Sequence, residues 1–167
     1  MSGSFIFTFH LLGFGLICAV IVGGWLINLR LMKVQEPALK VFLGGFLRTF
    51  GLLLPLAAVI LLVTGIGNIY NLYYETPTRW YQEGWLVVKI ILFGVMLVNG
   101  TVFGPILGRR RFVLLKQSAE MPATEEGAKT LAYLNRQINW FYVVQTVLLL
   151  GIVFFSAFGT SKHPGYF

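Results

Sequence analysis

The sequence predicts an all-α, polytopic membrane protein whose four transmembrane helices form one bundle. Two features of the composition indicate this class: 57% of the 167 residues are hydrophobic, and only 11% are charged. Soluble domains carry about 25% charged residues, so this chain has too little polar surface to fold in water. The third feature is a set of four continuous apolar segments, each long enough for the roughly 20 residues that cross a bilayer.

The four segments are continuous rather than alternating, which favours helices over the strands of a membrane barrel. The first apolar run is too long for the core of a signal peptide, and we expect it to remain in the mature protein. Pro55 is expected to kink the second helix, because proline lacks a backbone N–H and clashes with the preceding turn. The transmembrane helices are placed at about residues 5–29, 41–66, 85–107 and 138–158.

The connection between the third and fourth helices, about residues 108–137, is predicted to be a cytoplasmic helical hairpin within a single domain of residues 1–167. Thr124 is a favourable N-cap for the second arm of this hairpin. Glu125 and Glu126 follow it and suit the positive end of a helix dipole.

The basic residues predict the orientation. Ten of the 13 lie in or beside the first and third connections, two lie on the opposite side, and Lys89 lies within the membrane. The positive-inside rule then places those two connections in the cytoplasm and both termini outside. We therefore expect a multi-pass membrane protein with N-out, C-out topology; the resemblance described below implies that its membrane is the bacterial inner membrane. Nucleic-acid binding would need a basic face on a soluble domain, and the sequence predicts none.

Aromatic residues and glycines predict further contacts. The aromatic-rich loop at residues 70–85 is expected to anchor the outer surface at headgroup depth. Gly100, Gly104 and Gly108 form a stripe on the third helix that permits close helix packing. This stripe either packs inside the bundle or contacts a partner, in a homo-oligomer or a larger membrane complex. The lone Cys18 excludes an intrachain disulfide.

Two polar side chains are expected at similar depth in the outer leaflet. At 1.5 Å per residue, His10 lies about 8 Å and Lys89 about 6 Å inside the bilayer. A charge within the membrane costs roughly 3 kcal/mol even on lenient scales, so Lys89 is a candidate functional residue. Two interpretations stay open. Lys89 either shares a site with His10 inside the bundle or extends outward to Glu83 or Glu75.

A second polar layer is predicted in the inner leaflet. Arg48, Asn99 and Gln145 fall at similar depth on three different helices, and Asn28 and Asn139 lie closer to the inner surface. We expect Arg48 to hydrogen-bond these amides, as interhelical polar pairs commonly do. Arg48 and Asn99 are also candidate cofactor-binding residues.

The chemistry of His10 and Lys89 suits a tetrapyrrole. A neutral imidazole ligates haem iron or moves protons, and a desolvated lysine holds a carboxylate such as a haem propionate. A haem also fits between the helices of a bundle. His10 and Lys89 are therefore candidate catalytic and cofactor-binding residues, His10 is a candidate ligand of haem iron, and haem b is the candidate cofactor.

Four motifs carry a family resemblance: Phe-His-Leu-Leu at 9–12, Gly-Gly-Trp-Leu-Ile-Asn-Leu-Arg at 23–30, Trp-x-x-x-Lys at 85–89 and Leu-Asn-Arg-Gln-Ile-Asn at 134–139. With these motifs the chain resembles the HemJ-type protoporphyrinogen oxidases and their CopD-like relatives. The resemblance implies a haem-associated oxidoreductase that converts protoporphyrinogen IX to protoporphyrin IX, with His10 and Lys89 as the functional pair. Asn99 stands where these proteins often carry a further histidine.

Two other functions stay open. The chain is alternatively a non-catalytic accessory or assembly subunit of a larger respiratory or photosynthetic complex. The glycine stripe, the aromatic loop and the cytoplasmic hairpin would then be its docking surfaces. CopD-like copper transport is the third interpretation, and the scattered methionines do not favour it.

Overall fold

The structure is a computed structural model that describes residues 3–74, 77–120 and 124–162. These ranges form helices joined by short connections and contain no strand. They include four helical segments that are long and apolar enough to cross a membrane. This confirms the predicted all-α four-helix bundle. The α-helices in these ranges are α1 (Gly3–Lys33), α2 (Pro37–Phe50), α3 (Leu53–Tyr73), α4 (Gly84–Val98), α5 (Gly104–Glu120) and α6 (Glu125–Lys162).

The second transmembrane segment consists of α2 and α3, and it is interrupted at Gly51 and Leu52. The predicted kink therefore exists, but it lies one turn before Pro55. Proline conflicts with the carbonyl four residues earlier, which here belongs to Gly51. That carbonyl instead accepts a hydrogen bond of 3.1 Å from the backbone N–H of Leu54.

The third transmembrane segment contains a wide turn that the sequence analysis did not predict. Between α4 and α5, residues Asn99–Phe103 form a π-helical turn, in which the backbone N–H of Gly104 donates to the carbonyl of Asn99. Pro105 follows directly and has no N–H for the carbonyl of Thr101. A π-turn removes this conflict because its hydrogen bonds span five residues.

The predicted hairpin is helical in both of its described arms, since α5 continues to Glu120 and α6 begins at Glu125. The Thr124 hydroxyl caps α6 by accepting a hydrogen bond of 3.2 Å from the backbone N–H of Gly127. This confirms the predicted N-cap. Residues 121–123, which join the two arms, lie outside the described residues.

The helices pack in pairs. In the half of the bundle that contains His10, α1 lies along α3 and α4 lies along α6. In the other half, α2 lies along α5. We call the first half the aromatic end, because the described aromatic residues of 70–74 and 77–85 lie there, and the second half the basic end, because it carries Arg109 and Arg110. The main apolar core lies between the ends and consists of Ile17, Ile21, Ala57, Leu61, Met96, Leu149 and Ile152.

The glycine stripe divides between the inside and the outside of the bundle. A Cβ added to Gly100 would collide with the side chains of Leu54 and Gln145, and one added to Gly104 would lie 3.1 Å from the Phe141 ring. These two glycines are therefore packing positions within the chain, which is the first of the two interpretations of the stripe. Nothing lies within 4 Å of such a Cβ at Gly108, where the partner contact stays a prediction.

Candidate functional site

His10 is held on α1 by a hydrogen bond to the neighbouring helix. Its Nδ1 atom lies 2.9 Å from Oγ1 of Thr64. The Thr64 hydroxyl has one proton and donates it over 2.6 Å to the carbonyl of Ile60. The hydroxyl oxygen must therefore accept the bond from His10, so Nδ1 carries the ring proton. The Nε2 atom is left with a lone pair, which is the form that binds a metal or accepts a proton.

Glycines bring α1 and α3 close enough for this bond. A Cβ added to Gly13 would lie 2.9 Å from the side chain of Ile60, so the two helices approach closely one turn after His10. At Gly65 an added Cβ would lie 3.6 Å from Cε1 of His10. The imidazole thus rests against the α3 backbone at a position without a side chain, directly beside Thr64.

Lys89 lies on the face of α4 that is turned into the bundle. Trp85, four residues earlier, packs its ring on Gly159 of α6, and Leu92 contacts Gly151 of α6. Met96, seven residues after Lys89, is only 3% exposed. Residues at this spacing share one face of a helix. Lys89 therefore points towards the bundle rather than towards lipid.

The ammonium of Lys89 forms no hydrogen bond or ion pair with any residue in the described ranges. Glu83, one of the two acids considered as outward partners of Lys89, accepts a hydrogen bond of 3.0 Å from the indole of Trp85. Glu75, the other acid, lies outside the described residues.

The two residues belong to the two helix pairs of the aromatic end. His10 lies on the α1–α3 pair and Lys89 on the α4–α6 pair, and the two pairs share the apolar core through Met96 and Leu149. Among the described residues, no three His, Cys, Asp or Glu side chains come together as a metal-binding group. A haem, by contrast, needs only one protein ligand at its iron in several families. The described residues offer one such ligand in the Nε2 atom of His10.

The predicted inner polar layer exists, but its cation is Arg111 rather than Arg48. Arg111 is 4% exposed and Asn28 is completely buried. The Arg111 guanidinium donates to the Asn28 side-chain oxygen. Beside this pair, the indole of Trp25 donates to Asn139 over 3.1 Å. Both bonds tie α1 to the helices that carry the basic connection.

Arg48 and Asn99 do not join the His10–Lys89 site. Arg48 is exposed, and its guanidinium lies 5.9 Å from the centre of the Phe112 ring. Asn99 lies in the π-turn, and its buried Nδ2 atom has no hydrogen-bond partner among the described residues. Gln145 donates over 3.2 Å to the carbonyl of Met96 rather than bonding Arg48. The predicted hydrogen bonds from Arg48 to these amides are therefore wrong.

Sequence reasoning missed Thr64 and Arg111. Thr64 is one of several threonines in apolar helices, and nothing in its own segment marks it as the partner of a histidine. Arg111 belongs to a run of three arginines, which the sequence analysis used as a group to predict topology. A signal was nevertheless present, because consecutive residues on a helix are 100° apart. Three arginines in a row span too wide an arc for all of them to face water at the surface of a bundle.

Comparison with known proteins adds no further constraint on the function. No family model matches the chain, and neither a curated protein nor a solved structure is significantly similar to it.

Proposed function

We propose that this chain binds a tetrapyrrole at the aromatic end of the bundle and acts as a HemJ-like oxidoreductase of the bacterial inner membrane. Its substrate would be protoporphyrinogen or a related tetrapyrrole. The observation that carries the proposal is the hydrogen-bonded series from His10 through Thr64 to the carbonyl of Ile60. With Nδ1 engaged in this way, the proton-free Nε2 atom of His10 has a lone pair for a ligand.

Lys89 supports the proposal because no residue of the described ranges bonds its ammonium. A buried ammonium without such a partner is costly in a membrane, and such residues usually mark a ligand or ion site. The carboxylate of a bound tetrapyrrole would offset that cost by forming a charge-assisted hydrogen bond, which is about twice as strong as a neutral one. In this role Lys89 anchors and orients the ligand.

His10 has two roles that its geometry permits. Its Nε2 accepts a proton that the substrate loses on oxidation, or it ligates the iron of a resident haem b. Such a haem would supply the electron-accepting chemistry. Thr64 holds the ring orientation and the tautomer in both cases, as the hydrogen-bond partners of metal-bound histidines do.

The test is the absorption spectrum of the detergent-purified protein, together with its ability to oxidise protoporphyrinogen in membranes that lack another such oxidase. We expect a Soret band that His10→Ala abolishes. His163→Ala is the matched control, because it removes the other histidine of the chain and should leave the band intact.

Two results would contradict the proposal. A colourless protein that neither binds added haem or porphyrin nor forms protoporphyrin would exclude a tetrapyrrole site. If such a protein also co-purified with large membrane subunits, the accessory-subunit interpretation would be favoured. A Soret band of equal intensity in His10→Ala and wild type would show that the pigment is held elsewhere.

A further inference from the structure

A groove opens between α5 and α6 at the basic end, away from the His10–Lys89 site. Its volume is about 840 Å³. Its apolar wall includes Ile106, Val113 and Leu134, and its polar rim includes Arg109 and Arg110. The groove therefore has apolar residues next to two cationic residues, which is the arrangement that a membrane amphiphile requires.

The arginines of this groove lie at the depth of lipid headgroups. Arg109 follows Trp85, which lies at the aromatic end, by 24 residues along α4, the π-turn and α5. At 1.5 Å per residue this distance is about 36 Å, slightly more than the roughly 30 Å of the hydrocarbon core. The two guanidinium groups are therefore level with phosphates, while Ile106 is level with the adjoining acyl chains.

The charge of the groove is uncompensated by the described part of the chain. No acidic residue of that part lines it. Arg109 and Arg110 form no ion pair with any residue of the described ranges, and the ion pair found there joins Lys129 to Glu125 at 2.7 Å on exposed α6 surface. Arg111 turns away into the bundle, where it bonds Asn28. Two exposed cations thus remain beside an apolar channel, and they complement an anionic headgroup.

We propose that this groove binds an anionic phospholipid from the adjoining leaflet. Arg109 and Arg110 hold the phosphate, for which the planar guanidinium provides paired donors. Tyr133 lies on the same rim and offers a hydroxyl. One acyl chain lies along Ile106, on the membrane side of the arginines. Basic pockets between transmembrane helices recognise anionic lipid headgroups in this way.

The experiment measures the binding of phosphatidylglycerol to the intact protein in detergent by native mass spectrometry, with phosphatidylcholine as the neutral competitor. We expect a clear preference for phosphatidylglycerol. Because a basic residue near the membrane surface adds about fivefold to such binding, Arg109→Gln/Arg110→Gln should weaken it by roughly 25-fold. The matched control is Arg30→Gln/Lys33→Gln, which removes two exposed charges from the last turn of α1 at the same end and should leave binding unchanged.

A second variant separates the groove from charge alone. Ile106→Trp fills the apolar wall on the membrane side of the groove and keeps both arginines. Ile106 is 46% exposed, so the bundle should tolerate the larger side chain. We expect this variant to lose the phosphatidylglycerol preference.

Three outcomes would overturn the proposal. Equal weakening in the Arg30/Lys33 control would show general attraction to the basic end. Unchanged binding in Ile106→Trp would show that no acyl chain occupies the groove. Equal binding of phosphatidylcholine would remove the role of charge. None of these outcomes bears on the Soret band or on His10.

Discussion

Two positive charges lie on inner faces of the described part of the bundle, and they differ in their bonding. At the basic end, Arg111 is 4% exposed and hydrogen-bonds the fully buried Asn28. At the aromatic end, Lys89 faces the interior, but its ammonium has no bonding partner among the described residues. Both residues lie on helices that are packed along a neighbour, α5 along α2 and α6, and α4 along α6, so the difference is in the bonding partner and not in the packing.

This difference separates a structural charge from a candidate functional one. A buried charge whose acceptor is supplied by the same chain contributes to the choice of helix arrangement. A buried charge that lacks such an acceptor lowers stability, and a ligand that supplies the acceptor recovers the loss. The comparison therefore predicts that the protein loses stability when Arg111 loses its acceptor and gains stability when Lys89 loses its charge. Four substitutions test the comparison.

The largest effect is expected for Asn28→Leu. It removes the acceptor of Arg111, and a buried hydrogen bond to a charged group is worth about 1.5–3 kcal/mol. We expect the free energy of unfolding to fall by about 3 kcal/mol in mixed-micelle denaturation. The double variant Asn28→Leu/Arg111→Met should recover most of this loss, because it removes the charge as well as its acceptor. Additive losses in the double variant would contradict the pairing.

The next largest effect is a gain of stability, expected for Lys89→Met. Lys89→Met removes an unpaired charge from the bundle, and we expect the apo protein to become more stable by about 2 kcal/mol, in line with the membrane insertion cost of lysine. Tetrapyrrole binding should decrease at the same time. A loss of stability in the same denaturation assay would show that Lys89 is a structural residue like Arg111.

A smaller effect on stability is expected for Thr64→Val, about 1 kcal/mol, since one neutral hydrogen bond is lost. Its effect on the ligand should be larger, because loss of a residue that orients a ligating histidine costs about 10–100-fold in affinity. Titration of the purified protein with haem measures this. Thr146→Val is the matched control, since its hydroxyl makes a similar 2.9 Å bond to the carbonyl four residues earlier without a histidine. Equal affinity in the two variants would contradict the role of Thr64.

The smallest effect is expected for Trp25→Phe at the basic end. It removes the 3.1 Å hydrogen bond to Asn139 and keeps most of the ring. We expect a loss of about 1 kcal/mol and no change in any Soret band. A changed spectrum would mean that the two polar layers are coupled.

The sequence predicted the features that depend on composition and local chemistry. The four transmembrane segments follow from hydrophobic length, and the start of α6 follows from the hydroxyl of Thr124. The similar depth of His10 and Lys89, which was derived from helical rise, stays a prediction. The inward direction of Lys89 was also contained in the sequence, in the spacing of Trp85, Leu92 and Met96, but only the packing partners on α6 decide which face of α4 is buried.

Other features depend on contacts between distant segments, which one sequence does not specify. The choice of Arg111 over Arg48 as the buried cation depends on how α5 is rotated against α1. The Thr64 hydroxyl becomes the partner of His10 only because two glycines let α1 and α3 approach. The two interruptions have a local cause. Pro55 and Pro105 disturb the turn before them, so the predicted irregularity appears ahead of Pro55, and the π-turn that was not predicted appears ahead of Pro105.

The π-turn before Pro105 also determines which side chains of α5 point into the bundle. One extra residue in a single turn rotates everything that follows by about 100° relative to an uninterrupted α-helix. Deletion of one residue from the turn, such as Thr101, would therefore preserve the faces of both α4 and α5. If the full sequence formed an uninterrupted α-helix instead, the same rotation would move Arg111 out of the interior. The one extra residue in this turn thus sets the rotation of α5 relative to α4, and with it the faces that the third transmembrane segment buries at the two ends of the bundle.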